Sequence, residues 1–249
     1  MFNVIRTTVF TLFELVTVIP WGLVCLLIAP LPRKMRYGFT MRWLDIAMWG
    51  SRHILRIKVE VTGKEYLQRS NVILLSKHQS TWETFFYPTC IRRECCYVFK
   101  RELLMVPFFG WGMGLLDMIH INRSKRRDAF EDVTRQGKIK LAQGRWIIMF
   151  PEGTRMPTGT QGVYRSGGIR LAQNTGATII PVAVNSAQCW PKTSFIKRPG
   201  TIKVAFGPPI ICDGKKTEEI TLEVESWIET QMRRISPSDY KEPWTPRSN

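Results

Sequence analysis

Between Thr7 and Leu31 the sequence reads TTVFTLFELVTVIPWGLVCLLIAPL, and Glu14 is its only charged residue. A helix of this length covers the roughly 30 Å of a hydrocarbon core. A fold built on this chain must therefore either bury the run whole or give it to lipid. The run is too long for the apolar part of a signal peptide, and no small-residue cleavage site follows it. Basic residues come next: Arg33, Lys34, Arg36 and Arg42. If the run spans, they hold the following chain on the cytoplasmic side.

Two features complicate a simple span. Glu14 is costly at depth, and Pro20 kinks or breaks a helix. The alternative is a segment lying in one leaflet, paired with a second helix at roughly residues 35–56. That second stretch mixes Trp, Met and Phe with Arg, as interfacial helices do. A third reading makes both helices soluble caps on the core. Residues 1–56 are expected as membrane-associated helices, either spanning or monotopic.

From Ile57 the pattern changes to short apolar runs alternating with amphipathic stretches. Strands are expected at 57–61, 71–76, 96–100, 118–122, 146–150, 177–184 and 201–206. Helices are expected at 81–90, 107–116, 127–143, 168–176 and 217–235. The last of these begins with Glu218 and Glu219 and ends with Arg233 and Arg234, matching the helix dipole. This alternation predicts an α/β domain over 57–236, with a mixed, largely parallel sheet flanked by helices. The Pro- and Ser-rich residues 237–249 are expected to be a flexible tail.

The formal charge of +16 draws polyanions: nucleic acid, an anionic bilayer or phosphorylated small molecules. No nucleic-acid motif is present, and the apolar run favours lipid. The six cysteines include no CxxC pair, so neither a zinc site nor a disulfide framework is expected. The basic stretch from Arg123 to Arg145 is either a phosphate- or lipid-facing surface or a solvated helix face.

Three polar clusters fall where apolar strands run out, the usual place for sites in α/β proteins. The first is Ser76-Lys77-His78-Gln79-Ser80-Thr81-Trp82-Glu83. On a regular helix, five residues rotate about 500° and would point His78 and Glu83 apart. They meet only if His78 lies in the strand-to-helix turn and Glu83 in the first turns of the helix. A carboxylate on one ring nitrogen then leaves the other as a base. The second cluster is Phe150-Pro151-Glu152-Gly153-Thr154-Arg155, an acid, a glycine and a guanidinium in one tight turn. The third, His120-Ile121-Asn122-Arg123, brings another arginine to a strand end. No GxSxG elbow accompanies them, so no serine nucleophile is expected.

In this order and spacing, with Ile180-Pro181-Val182 downstream, the motifs over residues 57–210 resemble the glycerophospholipid acyltransferase family. The likeness is greatest to the bacterial 1-acylglycerol-3-phosphate acyltransferases. The resemblance implies an N-terminal two-helix membrane motif, an αβ domain, and acyl-CoA or acyl-carrier protein (acyl-ACP) as donor. It implies His78 as catalytic base with Glu83 as partner, and no acyl-enzyme. Arg123 and Arg155 would hold the acceptor phosphate, with Lys100 a further cation and Thr154 part of the same turn. Glu152 would position the glycerol hydroxyl, with Gly153 allowing close approach. Two departures from the family pattern stand out: H-x4-E in place of H-x4-D, and His-Ile-Asn-Arg in place of Phe-Ile-Asp-Arg.

The function expected is acylation of lysophosphatidic acid to phosphatidic acid, with no cofactor and no metal. The expected partners are a phospholipid membrane and the two substrates, with no nucleic acid. The expected location is the bacterial inner membrane, with the site on its cytoplasmic face. Another lysophospholipid or a lyso-aminolipid is the alternative acceptor. A non-enzymatic, basic membrane-binding module is the reading of a different class.

Overall fold

The computed structural model describes residues 1–106, 109–122 and 126–246, apart from the side chains of 109 and 126–129. Two long helices lead: α1 (Phe2–Leu27) and α2 (Arg33–His53). They are followed by β1 (Ile57–Thr62), β2 (Val72–Ser76), α3 (Trp82–Ile91), β3 (Cys95–Lys100), α4 (Phe109–Leu115) and β4 (Ile119–Ile121). The chain continues through α5 (Arg126–Ala142), β5 (Trp146–Met149), α6 (Gly167–Thr175), β6 (Thr178–Val184), β7 (Gly200–Phe206) and α7 (Thr217–Ile235). Short 3-10 turns at Lys64–Gln68, Arg101–Met105 and Ser186–Gln188 had no periodic signal and were not expected.

The seven strands form one sheet in the order β1-β7-β6-β2-β5-β3-β4. Five neighbours, β6, β2, β5, β3 and β4, run parallel, and β7 pairs antiparallel with β6. β1 pairs parallel with β7, so these two run against the rest. The expected α/β sheet, mixed and largely parallel, is therefore present. Parallel strands need both faces covered, which explains why β2 is a continuous apolar run rather than an alternating one. Val72, Ile73, Leu74 and Leu75 have no exposed surface. Burying each contributes about 1.5–3 kcal/mol. β2 and β5 lie side by side at the centre, and β6 flanks β2. The segments that leave the C-terminal ends of these three strands therefore converge.

The helix α1 runs unbroken through Pro20, so that proline does not end it. Among the described residues α1 is the one helix long and apolar enough to cross a membrane, and little of it is buried. At about 1.5 Å per residue its length exceeds the hydrocarbon thickness. It forms an antiparallel hairpin with α2, through Trp21 stacked on Phe39 at 4.1 Å and Phe13 against Trp49 at 5.9 Å. Gly50 allows this approach: a Cβ there would sit 2.5 Å from the Phe13 ring.

The hairpin is docked on the αβ domain. The Tyr37 hydroxyl accepts from the Cys95 amide (2.8 Å) and donates to the Arg93 carbonyl (3.0 Å). Arg33 pairs with Glu94 at 3.2 Å. At the far end of α1, Phe10 meets Trp190 edge-on at 5.4 Å.

Two expectations are corrected. The tail expected to be flexible from residue 237 is docked at its start: Tyr240 is buried under Arg233, and the Asp239 carboxylate accepts from Gln188. An aromatic five residues past the helix end, with a cation to cover it, holds the chain down here. Arg145 and Lys140, expected on a surface that either meets phosphate or lipid or is simply solvated, are buried instead. The Arg145 guanidinium donates to the Asp117 and Leu116 carbonyls, and Lys140 pairs with the Asp117 carboxylate. All six cysteines are free thiols, four of them buried.

Candidate active site

β2 ends at Ser76, and the chain turns through Lys77–Thr81 into α3. His78 lies in that turn and Glu83 is the second residue of the helix, the arrangement that lets the two side chains meet. His78 Nδ1 is 2.7 Å from Glu83 Oε2. An ionised carboxylate only accepts, so in a neutral imidazole the proton sits on Nδ1 and the lone pair on Nε2. The Glu83 carboxylate is held on its other side. Its Oε1 accepts from the Gln79 amide (3.0 Å), the Ser80 amide (2.9 Å) and the Ser186 hydroxyl. The extra methylene of glutamate is thus absorbed by a turn whose amides reach back to it. The His78 ring stacks on Phe150 with centroids 3.7 Å apart, which fixes its plane. Glu83 has no exposed surface while the His78 side chain keeps 16%, so the imidazole is the part of the pair that a reactant can reach.

Ser80, which flanks His78, is tied into the fold. It is buried, and its hydroxyl accepts from the Trp82 amide (3.0 Å) at the start of α3. Ser76 is also buried, bonded to the Tyr87 hydroxyl at 2.5 Å and to the Lys77 carbonyl.

The turn after β5 runs alongside. Gly153 adopts φ +66°, a conformation that disfavours any side chain. Arg155 Nη1 donates to the Thr81 hydroxyl (3.0 Å), which brings the guanidinium into the turn that carries His78. The Met156 amide donates to the His78 carbonyl (2.7 Å), so the two turns are joined by backbone as well. Thr154 and Arg155 receive a third segment: Lys192 Nζ reaches the Thr154 hydroxyl (3.4 Å) and the Arg155 carbonyl (3.1 Å).

Glu152 does not face the open side with these residues. It is buried beneath His78, where Oε2 accepts from the His78 amide (3.3 Å) and Oε1 from the Gly162 amide (2.9 Å). Oε1 also accepts from Lys77 Nζ (2.7 Å). The approach to Gly162 is close enough that a Cβ there would sit 3.0 Å from Oε1. Lys77 has no exposed side-chain surface and spends its three protons on Glu152, on Glu229 of α7 (2.7 Å) and on the Thr160 carbonyl (2.9 Å). Arg233 Nη1 pairs with Glu229 Oε2 at 3.3 Å, and the Tyr164 hydroxyl donates to Glu229 Oε1. Two cations thus face two carboxylates, and every Lys77 proton has an acceptor, as a buried charge requires. Burial still pushes the Glu152 carboxyl above its ordinary pKa, and Lys77 opposes the rise.

Lys100 is exposed at the end of β3, on the same edge of the sheet. Arg123 lies outside the described residues. Among the described residues no group of acids, cysteines and histidines is placed to hold a metal ion.

Sequence reasoning missed Lys77, Ser186, Lys192 and Glu229. Lys77 sat in view inside the first cluster, and its signal was a lysine directly after the five-residue buried strand Val72–Ser76. Ser186, Lys192 and Glu229 carried no local signal.

Compared with known proteins, residues 58–185 match the family model described as acyltransferase. The chain is 41% identical over 238 residues to a 1-acyl-sn-glycerol-3-phosphate acyltransferase of Pseudomonas aeruginosa, covering 94% of this chain and 92% of that one. A protein of the same name from Limnanthes alba is 28% identical over 90% of this chain and 79% of its own. The crystal structure of the 1-acyl-sn-glycerophosphate (LPA) acyltransferase from Thermotoga maritima superposes with a TM-score of 0.77. It covers 94% of this chain and 97% of the other at 22% identity, a likeness of fold.

Proposed function

This chain belongs to the acyltransferase family, and from that membership we propose that it acylates the free hydroxyl of 1-acylglycerol 3-phosphate to form phosphatidic acid. The donor is an acyl thioester, acyl-CoA or acyl-ACP. The observation that carries this reading is the His78–Glu83 pair lying in one turn with the Arg155–Thr81 contact. These contacts put an imidazole and a guanidinium on neighbouring turns, which supports a base beside a phosphate-binding cation.

In this reaction Nε2 of His78 takes the hydroxyl proton as the oxygen attacks the thioester carbonyl. The new C–O bond forms, the C–S bond breaks, and the proton passes from Nε2 to the departing thiolate. A thiolate leaves readily, since thiols ionise near pH 8.5. The acyl group therefore needs no covalent stop on the enzyme. General-base assistance contributes about 10²–10⁴-fold, and orientation of the two substrates supplies much of the rest. In this reading Arg155 and Arg123 hold the acceptor phosphate, with Lys100 and Thr154 at the rim. Gly153 lets the turn fold so that Arg155 reaches Thr81. Glu152 acts through the His78 backbone amide, fixing where the imidazole stands. The α1–α2 hairpin lies in the bilayer, with the αβ domain on the cytoplasmic side, where a lysolipid enters from the membrane surface.

The test is acyl transfer by purified protein in vesicles, offered acyl-CoA or acyl-ACP and a panel of lyso acceptors with and without phosphate. Lysophosphatidic acid should be used best. His78→Ala should lower kcat by about 10²–10⁴ while vesicle binding is kept. Full transfer in that variant removes His78 from the mechanism. Equal use of phosphate-free acceptors withdraws the roles of Arg123 and Arg155.

A further inference from the structure

Arg155 is held by Thr81, and its carbonyl and the neighbouring Thr154 hydroxyl both accept from Lys192 Nζ. Lys192 stands in the segment that follows β6, more than a hundred residues from the first cluster and outside every motif. Its ammonium has three protons and makes two bonds here, both at the exposed rim of the turn. Among the described residues neither Arg155 nor Lys192 forms an ion pair with a carboxylate. Some cations elsewhere in the fold are neutralised, Lys77 by two glutamates and Arg33 and Arg92 by one acid each. Two uncompensated cations and two hydroxyls, Thr81 and Thr154, thus border one turn beside the imidazole.

We infer that Lys192 is a ligand of the acceptor's phosphate and sets the preference for a phosphorylated acceptor. The inference rests on the function proposed above. A phosphomonoester near neutral pH carries close to two negative charges. Its terminal oxygens accept more bonds than the Arg123 and Arg155 guanidiniums alone would fill, and Lys192 is a donor already fastened to the turn that carries Arg155. The guanidinium supplies a fixed fork and the ammonium a compact point charge on a flexible stem. The lysine is also well placed for a lipid. Its segment begins at Trp190, which packs edge-on against Phe10 of α1, and the Lys197 amide donates to the Thr7 hydroxyl (2.9 Å). One wall of the site is therefore built on the helix that carries the apolar surface.

The shared chemistry, a phosphate, is present in the acceptor and also in acyl-CoA, so the experiment separates the two. The full chain and its Lys192→Met and Lys192→Arg variants are assayed in the same vesicles. KM is measured for lysophosphatidic acid, for acyl-CoA and for a monoacylglycerol that lacks phosphate. Lys192→Met should raise the KM for lysophosphatidic acid roughly tenfold and leave that for acyl-CoA unmoved. Selectivity for lysophosphatidic acid over monoacylglycerol should fall by a similar factor, and Lys192→Arg should recover most of it.

An unchanged acceptor KM overturns the assignment. So does a rise confined to the acyl-CoA KM, which would place the lysine on the donor. An equal fall in kcat on both glycerol acceptors also overturns it, since a lysine that only props the turn would act that way. If the unaltered protein takes both acceptors equally well, the proposed function itself fails, and that result precedes any variant.

Discussion

Glu83 reaches His78 across a turn in which its second oxygen is fixed by two backbone amides and the Ser186 hydroxyl. Shortening it to aspartate draws the carboxylate back by about one carbon–carbon bond, roughly 1.5 Å. The shorter chain cannot hold Nδ1 and the amides together. Glu83→Asp should therefore lower kcat, even though aspartate is the usual residue at this spacing in the family. Glu83→Gln keeps the length, but its carbonyl oxygen stays with the two amides and the Ser186 hydroxyl, so an NH2 donor faces Nδ1. The imidazole then settles with its proton on Nε2 and loses its function as a base. Its kcat should fall by about 10²–10⁴, close to His78→Ala. Steady-state rates of both variants at saturating substrates check this, and an undiminished rate for Glu83→Gln would remove the orienting role. His78 and Glu83 were legible in the sequence because a strand-to-helix turn brings residues five apart together. Ser186 was not, because its contact crosses 103 residues and one serine in a loop looks like any other.

At the scale of elements, α7 reaches the site from beneath. Its Glu229 meets Lys77 at 152 residues' separation, and Lys77 meets Glu152 at 75. Strand β2, the turn after β5 and the last helix are locked at one buried ammonium. The helix was legible from its charged ends and apolar face, and the strands from their apolar runs. The lock was not, since a glutamate inside an amphipathic helix gives no sign of being buried. Lys77→Met removes the shared partner and leaves both carboxylates without a buried cation on Lys77's side. Breaking such an arrangement costs about 3–5 kcal/mol. The loss should depend on pH. Burial already holds the Glu152 carboxyl above its ordinary pKa, and without Lys77 it rises further. An acid whose folded pKa exceeds its unfolded value is favoured by folding only while protonated. Stability is then lost as pH climbs from the unfolded pKa through the folded one. Lys77→Met should accordingly melt at a higher temperature near pH 5 than near pH 8, a difference the unaltered protein shows weakly. A flat profile for the variant would mean that the two glutamates find other partners.

For the whole molecule, the two sources of membrane affinity are separable in the chain. Residues 1–30 contain one arginine, Arg6, and one glutamate, Glu14, so their formal charge is zero and the whole +16 belongs to residues 31–249. Helix α1 can therefore contribute only through apolar surface, and the remainder of the molecule chiefly through charge. The apolar run was the most legible feature of the sequence. How it is fastened to the sheet, through Tyr37, Arg33 and Trp190, was not, because each partner lies far along the chain. Val9, Val16 and Leu23, seven residues apart on one face of α1, are 48%, 71% and 50% exposed, so replacing them leaves the core packed as before. With all three changed to aspartate, an apolar contact with lipid becomes costly at about every second turn of the helix. Flotation with vesicles then separates the terms. The unaltered chain should float with neutral and anionic vesicles alike, and stay bound in about 1 M salt, where the screening length is only about 3 Å. The triple variant should no longer float with neutral vesicles. With anionic vesicles it should float at low salt and be released near 1 M, because the attraction that remains is electrostatic. Binding of the variant to neutral vesicles at high salt would mean that a surface other than α1 enters the lipid.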